Sequence, residues 1–86
     1  MAESKVISTV DVIRKTDHVL GGNARIGDRR IAVWMLVQAR RLGLTDEEIR
    51  TRYRPPLKQA ELDAAWHYHE AHPSEIEQAI MENEEA

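Results

Sequence analysis

Arginine side chains dominate the chemistry that this sequence could carry. Three of them, Arg25, Arg29 and Arg30, lie in the stretch GGNARIGDRRIAV, which runs from Gly21 to Val33. A guanidinium presents planar N–H donors that match phosphate and carboxylate oxygens. The stretch could be a phosphate-binding loop, a DNA-contacting hairpin or a turn with solvated charges. A nucleotide-type phosphate loop is excluded, because no Gly-Lys-Ser/Thr follows the glycines.

Charge is divided unevenly along the chain. Residues 1–58 contain all twelve Lys and Arg and seven acidic residues, which gives 12 − 7 = +5. Residues 59–86 contain eight acidic residues and no Lys or Arg, which gives −8. This division predicts two surfaces with different partners, the basic one being suited to phosphates. The candidate DNA-binding residues are Arg25, Arg29, Arg30, Arg40, Arg41, Arg50, Arg52 and Lys58. Alternatively, these cations are solvated or paired with nearby carboxylates, since exposed ion pairs are common and contribute little.

The C-terminal segment SEIEQAIMENEEA predicts an amphipathic acidic helix. Such a helix can occupy a groove of a partner protein, where apolar residues supply affinity and glutamates complement a basic surface. The candidate partner-binding residues are Ile76, Glu77, Ile80, Met81 and Glu84. Alternatively, Ile76 and Ile80 close the protein's own core, and the last residues fray.

Metal and catalytic sites are not expected. In the stretch HYHEAH, His69 and His72 share a helix face but His67 does not, and two histidines with Glu70 fall short of a closed zinc site. The chain has no Cys, no Ser-His-Asp arrangement and no general base beside the arginines. We therefore expect no metal, no cofactor and no enzymatic activity.

Length and hydropathy bound the class of protein. A chain of 86 residues makes one domain that buries only about 60–65% of its unfolded surface, so a homodimer would add stability. No apolar run reaches the roughly 18 residues of a membrane span, and the start MAESKVIST lacks the apolar region of a signal peptide. We expect a cytoplasmic protein.

The basic stretch is predicted to be a hairpin. Residues 24–26 and 29–31 flank Gly27-Asp28, and a two-residue link with Gly first is typical of a type II′ turn. The preceding segment KVISTVDVIRK fits a strand better than a helix, because it is rich in β-branched residues. The outer strand of this hairpin would be an open edge through which two copies could pair.

Helices are predicted from residue 32 onward. The first, residues 32–42, has an apolar face of Val33, Leu36, Val37 and Leu42 and ends at Gly43. The second, residues 45–53, begins with a capping box of Thr45 and Glu48. A third spans residues 57–72, and a fourth begins at residue 73 with Ser74 and Glu77 as a second capping box.

The predicted fold is mainly α: a short N-terminal β-hairpin followed by a helix-turn-helix-like unit of three to four helices. Residues 1–11 would be an N-terminal extension that could form a strand, residues 12–72 the hairpin and trihelical domain, and residues 73–86 the acidic helix. The third helix would then occupy the recognition position. Its outward residues include Glu61 and Asp63, which would repel phosphates.

These features resemble the domain of unknown function 433 family. The segments HVLGGNARIGDRRIAVWMLVQARRLGLTDEEIRTRY and ELDAAWHYHEAHPSEI carry the resemblance, and GGxxRIxxxRIxV is its most specific element. The resemblance as a whole covers about Val12 to Ile80. The chain departs from the family pattern at Ala24, where proline is common, at Gly27-Asp28-Arg29, where Lys-Gly-Thr is common, and at Lys58, where threonine is common.

The resemblance implies a helix-turn-helix-like fold and the role of an antitoxin in a Vap-type toxin–antitoxin pair. Its partner would then be a cognate toxin similar to PIN-type ribonucleases, with operator DNA as an additional partner. A second hypothesis is a protein-only adaptor or structural subunit without nucleic acid contact.

Overall fold

A computed structural model describes residues 12–84 of the chain. It contains strand β1 (Ile13–Arg14), a 3-10 turn (Leu20–Gly22), strand β2 (Arg25–Ile26) and four helices. The helices are α1 (Val33–Arg41), α2 (Asp46–Thr51), α3 (Gln59–Ala71) and α4 (Pro73–Glu84). A mainly helical fold behind a short antiparallel strand pair confirms the predicted fold class. The predicted strand in residues 1–11 lies outside the described residues.

The strand pairing differs from the predicted hairpin. The turn at Gly27-Asp28 forms: the Arg29 N–H donates to the Ile26 carbonyl at 2.8 Å, and Gly27 has φ of 49°. The regular partner of β2 is β1, however, with Ile13 opposite Ile26, while residues 29–31 form no strand. The arm after the turn contributes only a bridge between Arg25 and Ala32, because the chain enters α1 at the next residue.

Helix α1 ends as its sequence predicts, although the prediction for Leu42 is wrong. Gly43 has φ of 100°, and the Leu44 N–H donates to the Ala39 carbonyl at 3.2 Å, as in a Schellman motif. This reversal leaves Leu42 76% exposed rather than on the buried face. Leu44 packs against the core in its place.

The next two helix starts are fixed by carboxylate hydrogen bonds. The Glu48 N–H donates to the Thr45 hydroxyl at 3.1 Å, and the Thr45 N–H donates to the Glu48 carboxylate at 2.8 Å, which confirms the predicted capping box. At α3, the Lys58 N–H donates to the Glu61 carboxylate at 2.8 Å. Each glutamate satisfies a donor that a helix start leaves unpaired.

Helix α1 is the centre of the helical unit. It contacts α2, α3 and α4, and β1 contacts α3. The core takes at least one side chain from β2 and from each helix, and its largest fully buried members are Ile26, Val33, Leu36, Ile49, Leu57 and Leu62. No helix within residues 12–84 is long and apolar enough to cross a membrane.

Helix α4 belongs to this core. It begins at Pro73, so Ser74 lies inside its first turn and does not cap it as predicted. Proline is favoured at the first helical position, where its missing N–H costs nothing. Ile76 and Ile80 are 2% and 6% exposed and join the central cluster.

Candidate functional site

The eight candidate DNA-binding cations occupy three different environments. Arg25 lies in the strand pair and is only 7% exposed. Its guanidinium donates to the Arg29 carbonyl at 3.3 Å and to the Thr16 hydroxyl at 3.0 Å. These bonds direct the side chain into the protein. Arg25 is therefore removed from the set of surface residues that can reach DNA without rearrangement.

Arg40 and Arg41 lie at the end of α1 and contact the protein's own side chains. The Arg40 guanidinium carbon lies 4.5 Å from the centre of the Trp66 ring, within the range of a cation–π interaction. Arg41 forms a two-point ion pair with Glu77 of α4, in which Nη1 and Oε1 are 3.1 Å apart. Both arginines thus have structural contacts, and Arg41 joins two helices.

The remaining cations gather around the loop between α2 and α3. The Arg29 side chain donates to the Pro55 carbonyl, which places the turn of residues 27–30 against this loop. The Arg50 Nε donates to the Leu57 carbonyl at 3.0 Å. We call the resulting cluster the basic surface; it comprises Arg29, Arg30, Arg50, Arg52, Arg54 and Lys58. Arg30, Arg52, Arg54 and Lys58 are exposed.

Cations of the basic surface have no carboxylate partner within residues 12–84. The ion pairs there are Arg14–Asp28, Lys15–Glu75, Arg41–Glu77 and a contact of His69 with Glu77. Unpaired, clustered cations leave a positive potential that attracts polyanions. The predicted alternative was that these cations are solvated or paired with carboxylates. Pairing is found for Arg41 and, within residues 12–84, for no cation of the basic surface, so solvation is the form of the alternative that applies to this cluster.

Helix α3 presents an acidic face next to the basic surface. Gln59, Asp63, His67 and Glu70 are exposed on it. The Gln59 amide donates to Asp46 at 2.8 Å and to Asp63 at 3.1 Å. The N-terminal end of α3 thus carries carboxylates where a recognition helix would carry base-reading donors. Any nucleic acid contact must be made mainly by loops.

The five candidate partner-binding residues of α4 are divided between the core and the surface. Ile76 and Ile80 are buried, so proposing them as partner contacts is wrong for this conformation: the same apolar stripe completes the core against α1. Glu77 is held by Arg41, and Glu84 accepts a hydrogen bond from Gln38 at 3.0 Å. Met81 is 56% exposed.

A second network attaches α4 to α3 and to the end of β1. The Tyr68 hydroxyl donates to the Glu75 carboxylate at 2.8 Å, and Lys15 Nζ lies 2.9 Å from Glu75 Oε2. Burial, with a further contribution from the hydrogen bond to Glu75, raises the pKa of Tyr68. The hydrogen bond to Glu75 raises the pKa of Lys15. No sequence pattern indicated this network, because its members come from three separate elements.

Histidines do not form a metal cluster in the described part of the chain. His69 Nε2 lies 3.5 Å from Glu77 Oε2, and the rings of His72 and Tyr68 stack with centres 4.3 Å apart. Within residues 12–84, no group of three His, Asp or Glu side chains could hold a metal ion.

Comparison with known proteins identifies a family. Residues 13–69 match the family described as "Protein of unknown function (DUF433)". The crystal structure, at 2.00 Å resolution, of a DUF433 member protein from Anabaena variabilis ATCC 29413 is similar, with a TM-score of 0.79 and 42% sequence identity. The match covers 83% of this chain and 69% of that chain. No curated protein matches the chain. The chain belongs to the DUF433 family.

Proposed function

We propose that the protein is an antitoxin-like regulatory module of the cytoplasm with two oppositely charged contact surfaces. The basic surface contacts the phosphates of operator DNA. The exposed, acidic side of α4 contacts a cognate toxin, for which the family resemblance suggests a PIN-type ribonuclease. The observation that carries the proposal is the cluster of six cations around the α2–α3 loop, none of which pairs with a carboxylate within residues 12–84.

The DNA contact in this proposal is electrostatic. Each cation that neutralises a phosphate releases counterions and adds affinity without reading sequence. The acidic face of α3 argues against insertion of this helix into a major groove, because Asp63 and Glu70 are exposed there. We therefore expect the affinity of this surface for DNA to depend strongly on salt, because phosphate contacts supply it.

The toxin contact in this proposal uses the side of α4 that the core leaves free. Met81 supplies an exposed apolar group, and Glu82 and Glu84 supply exposed carboxylates. An RNA-cleaving enzyme needs a basic cleft for its substrate, and glutamates can occupy such a cleft. In this contact, Met81 would supply the apolar part of the affinity, and the neighbouring glutamates would supply charge complementarity. The buried Ile76 and Ile80 would not take part.

Dimer formation is part of the same proposal. Strand β1 pairs with β2 on one side, and β2 is bridged to Ala32 on its other side. Within residues 12–84, no strand pairs with the far side of β1, and antiparallel pairing of two β1 strands across that side would give a two-fold symmetric dimer. Two basic surfaces on one dimer would raise DNA affinity through multivalency.

A protein-only adaptor is the second candidate function. The carboxylates of Asp46 and Asp63 beside the basic surface favour it, because they lower the potential at the end of α3. In that case the basic surface would bind an acidic protein. The two functions differ in one measurable property, which is salt-dependent affinity for a DNA duplex.

The DNA contact is tested by fluorescence anisotropy with a labelled duplex over a range of salt concentrations. The variant Arg52→Gln/Arg54→Gln should lower the slope of log K against log salt by about 2, since each phosphate contact contributes about 0.9. The variant Arg40→Gln/Arg41→Gln removes the same charge from α1 and should keep the slope. Equal slopes in both variants, or no binding by the wild type, would favour the adaptor.

The toxin contact is tested by co-expression with the product of the neighbouring open reading frame. Met81→Ala/Glu84→Gln should weaken the complex about tenfold, because loss of a central apolar contact typically costs more than about 1 kcal/mol, whereas Glu70→Gln on α3 should not weaken it. Deletion of residues 73–86 is unsuitable, because it removes Ile76 and Ile80 from the core. A complex that withstands the α4 variant would exclude this side of α4 as the toxin contact.

A further inference from the structure

Two large apolar side chains are exposed in the described part of the chain. Leu42, at the end of α1, is 76% exposed, and Met81, on α4, is 56% exposed. Within residues 12–84, no other large apolar side chain is exposed to this degree. Single exposed apolar residues are ordinary, so the position of these two relative to each other decides whether they form a contact surface.

Helices α1 and α4 lie side by side and run antiparallel. The Gln38 amide donates to the Glu84 carboxylate at 3.0 Å, and Arg41 pairs with Glu77, so residue numbers rise along α1 as they fall along α4. Met81 is four residues after Glu77 and three before Glu84. It therefore projects from the same side of α4 as the two glutamates that contact α1.

The outward side of α1 next to this seam is also apolar. Gln38 lies four residues after Trp34 and four before Leu42, and Met35 lies seven before Leu42, so all four share one side of the helix. Trp34 and Met35 are half-buried, and Leu42 is exposed. We call the surface that the two helices form the α1–α4 face; it comprises Trp34, Met35, Leu42, Met81, Glu82 and Glu84.

The α1–α4 face is apolar on α1 and acidic on α4. Glu82 and Glu84 are exposed, and neither forms an ion pair within residues 12–84. Arg41, which reaches from α1 to α4, is already paired with Glu77. A molecule that covers this face must therefore bring cations to the α4 half and apolar groups to the α1 half.

A second copy of the chain does not supply that combination. Its exposed large apolar side chains within residues 12–84 are again Leu42 and Met81, so it would have to meet this face with the same face. That face carries glutamates on α4 and no cation to match them. The distance along α1 from Met35 to Leu42 is about 10 Å, or two helical turns, which suits a short helix lying along the seam.

We infer that the α1–α4 face binds a basic amphipathic helix of a partner protein. The apolar stripe of that helix covers Leu42 and Met81, and its Lys or Arg side chains lie beside Glu82 and Glu84. The inference rests on the proposed function only for the use of α4 as a contact. It adds α1 to that contact and states the chemistry of the partner segment.

Methyl NMR of the full chain with ¹³C-labelled methionine tests the inference, because Met35 and Met81 both lie on the face. The probe is a designed helical peptide with a leucine stripe bordered by lysines, and its matched control has glutamate at every lysine position. The lysine peptide should shift both methyl signals and saturate, and the glutamate peptide should bind at least tenfold more weakly. Equal binding of the two peptides, or no shift of either signal, overturns the inference.

Leu42→Ala should weaken binding of the lysine peptide about tenfold, whereas Thr51→Ala at the end of α2 should not change it. Since Leu42 is exposed, the Tm of Leu42→Ala should stay within about 4 °C of the wild type. A larger fall shows that another part of the chain covers Leu42 and overturns the inference. Methyl shifts that depend on protein concentration alone, and that Leu42→Ala abolishes, show that a second copy occupies the face and overturn it as well.

The same variants separate this inference from the toxin contact. If the product of the neighbouring open reading frame needs Met81 but not Leu42, and the lysine peptide does not bind, the α4 contact stands and the inference fails. If the lysine peptide binds through Leu42 and Met81 while that product does not bind, the inference stands and the antitoxin role fails.

Discussion

Replacing Ile80 by alanine is the most direct test of where the acidic helix packs. The side chain is 6% exposed and belongs to the central core cluster. The change removes three carbon groups, each worth about 0.8 kcal/mol of transfer free energy, or about 2.4 kcal/mol in all. The cavity left between α4 and α1 adds to this cost. We expect a loss of about 2.5–4 kcal/mol in the free energy of unfolding.

Urea denaturation followed by circular dichroism measures this loss, and a thermal scan should show a fall in Tm of about 10–30 °C. Met81→Ala is the matched control on the next residue. Its side chain is 56% exposed, and alanine favours a helix, so its stability should stay within about 0.5 kcal/mol of wild type. If Ile80→Ala is as stable as the control, α4 does not complete the core, and its apolar stripe is free for a partner.

Three other substitutions test the ion pair, the helix start and the helix end. Arg41 holds the pKa of Glu77 below its ordinary 4.5, so the stability from this pair is complete above that pH and lost as pH falls through the lowered pKa. Glu77→Gln should remove that part of the acid dependence of Tm. Thr45→Ala should lower the free energy of unfolding, measured by urea denaturation, by about 1 kcal/mol. The control Thr51→Ala should lower it by less than about 0.5 kcal/mol. Gly43→Ala should lower the free energy of unfolding by about 1 kcal/mol, because alanine is strained at a φ of 100°. An unchanged urea midpoint would show that α1 does not end in a Schellman motif at Gly43.

Local signals in the sequence predicted the helical part of the fold well. The capping box at Thr45 and the glycine after α1 act within one turn of backbone, so their meaning depends little on the rest of the chain. Leu42 shows the limit of the periodic pattern. Its spacing from Leu36 and Val37 fits the apolar face of α1. The chain reverses at Gly43, however, so Leu42 is exposed and Leu44 packs against the core instead.

The burial of Arg25 and the partner of β2 depend on residues far apart in the sequence, so local patterns did not predict them. Successive residues of a strand point to opposite faces, so Arg25 should face outward if Ile26 faces the core. The Thr16 loop and the turn after β2 cover that face as well, so both residues are buried. The partner of β2 was also missed, because the hairpin signal at Gly27-Asp28 is local, whereas Ile13 reaches Ile26 across a longer connection.

The basic N-terminal part and the acidic C-terminal part of the sequence do not stay entirely separate in the folded protein, because ion pairs join them. Part of the positive charge is used to hold the negative end: Arg41 pairs with Glu77, and Lys15 pairs with Glu75, so α4 is attached by two of its own glutamates. Within residues 12–84, the cations of the basic surface have no carboxylate partner, and the α4 carboxylates outside these two ion pairs are Glu82 and Glu84. A partner that displaced Glu77 from Arg41 would release a cation next to α4 as it bound. Such binding would therefore increase the positive potential at the end of α1, where Arg40 and Arg41 lie.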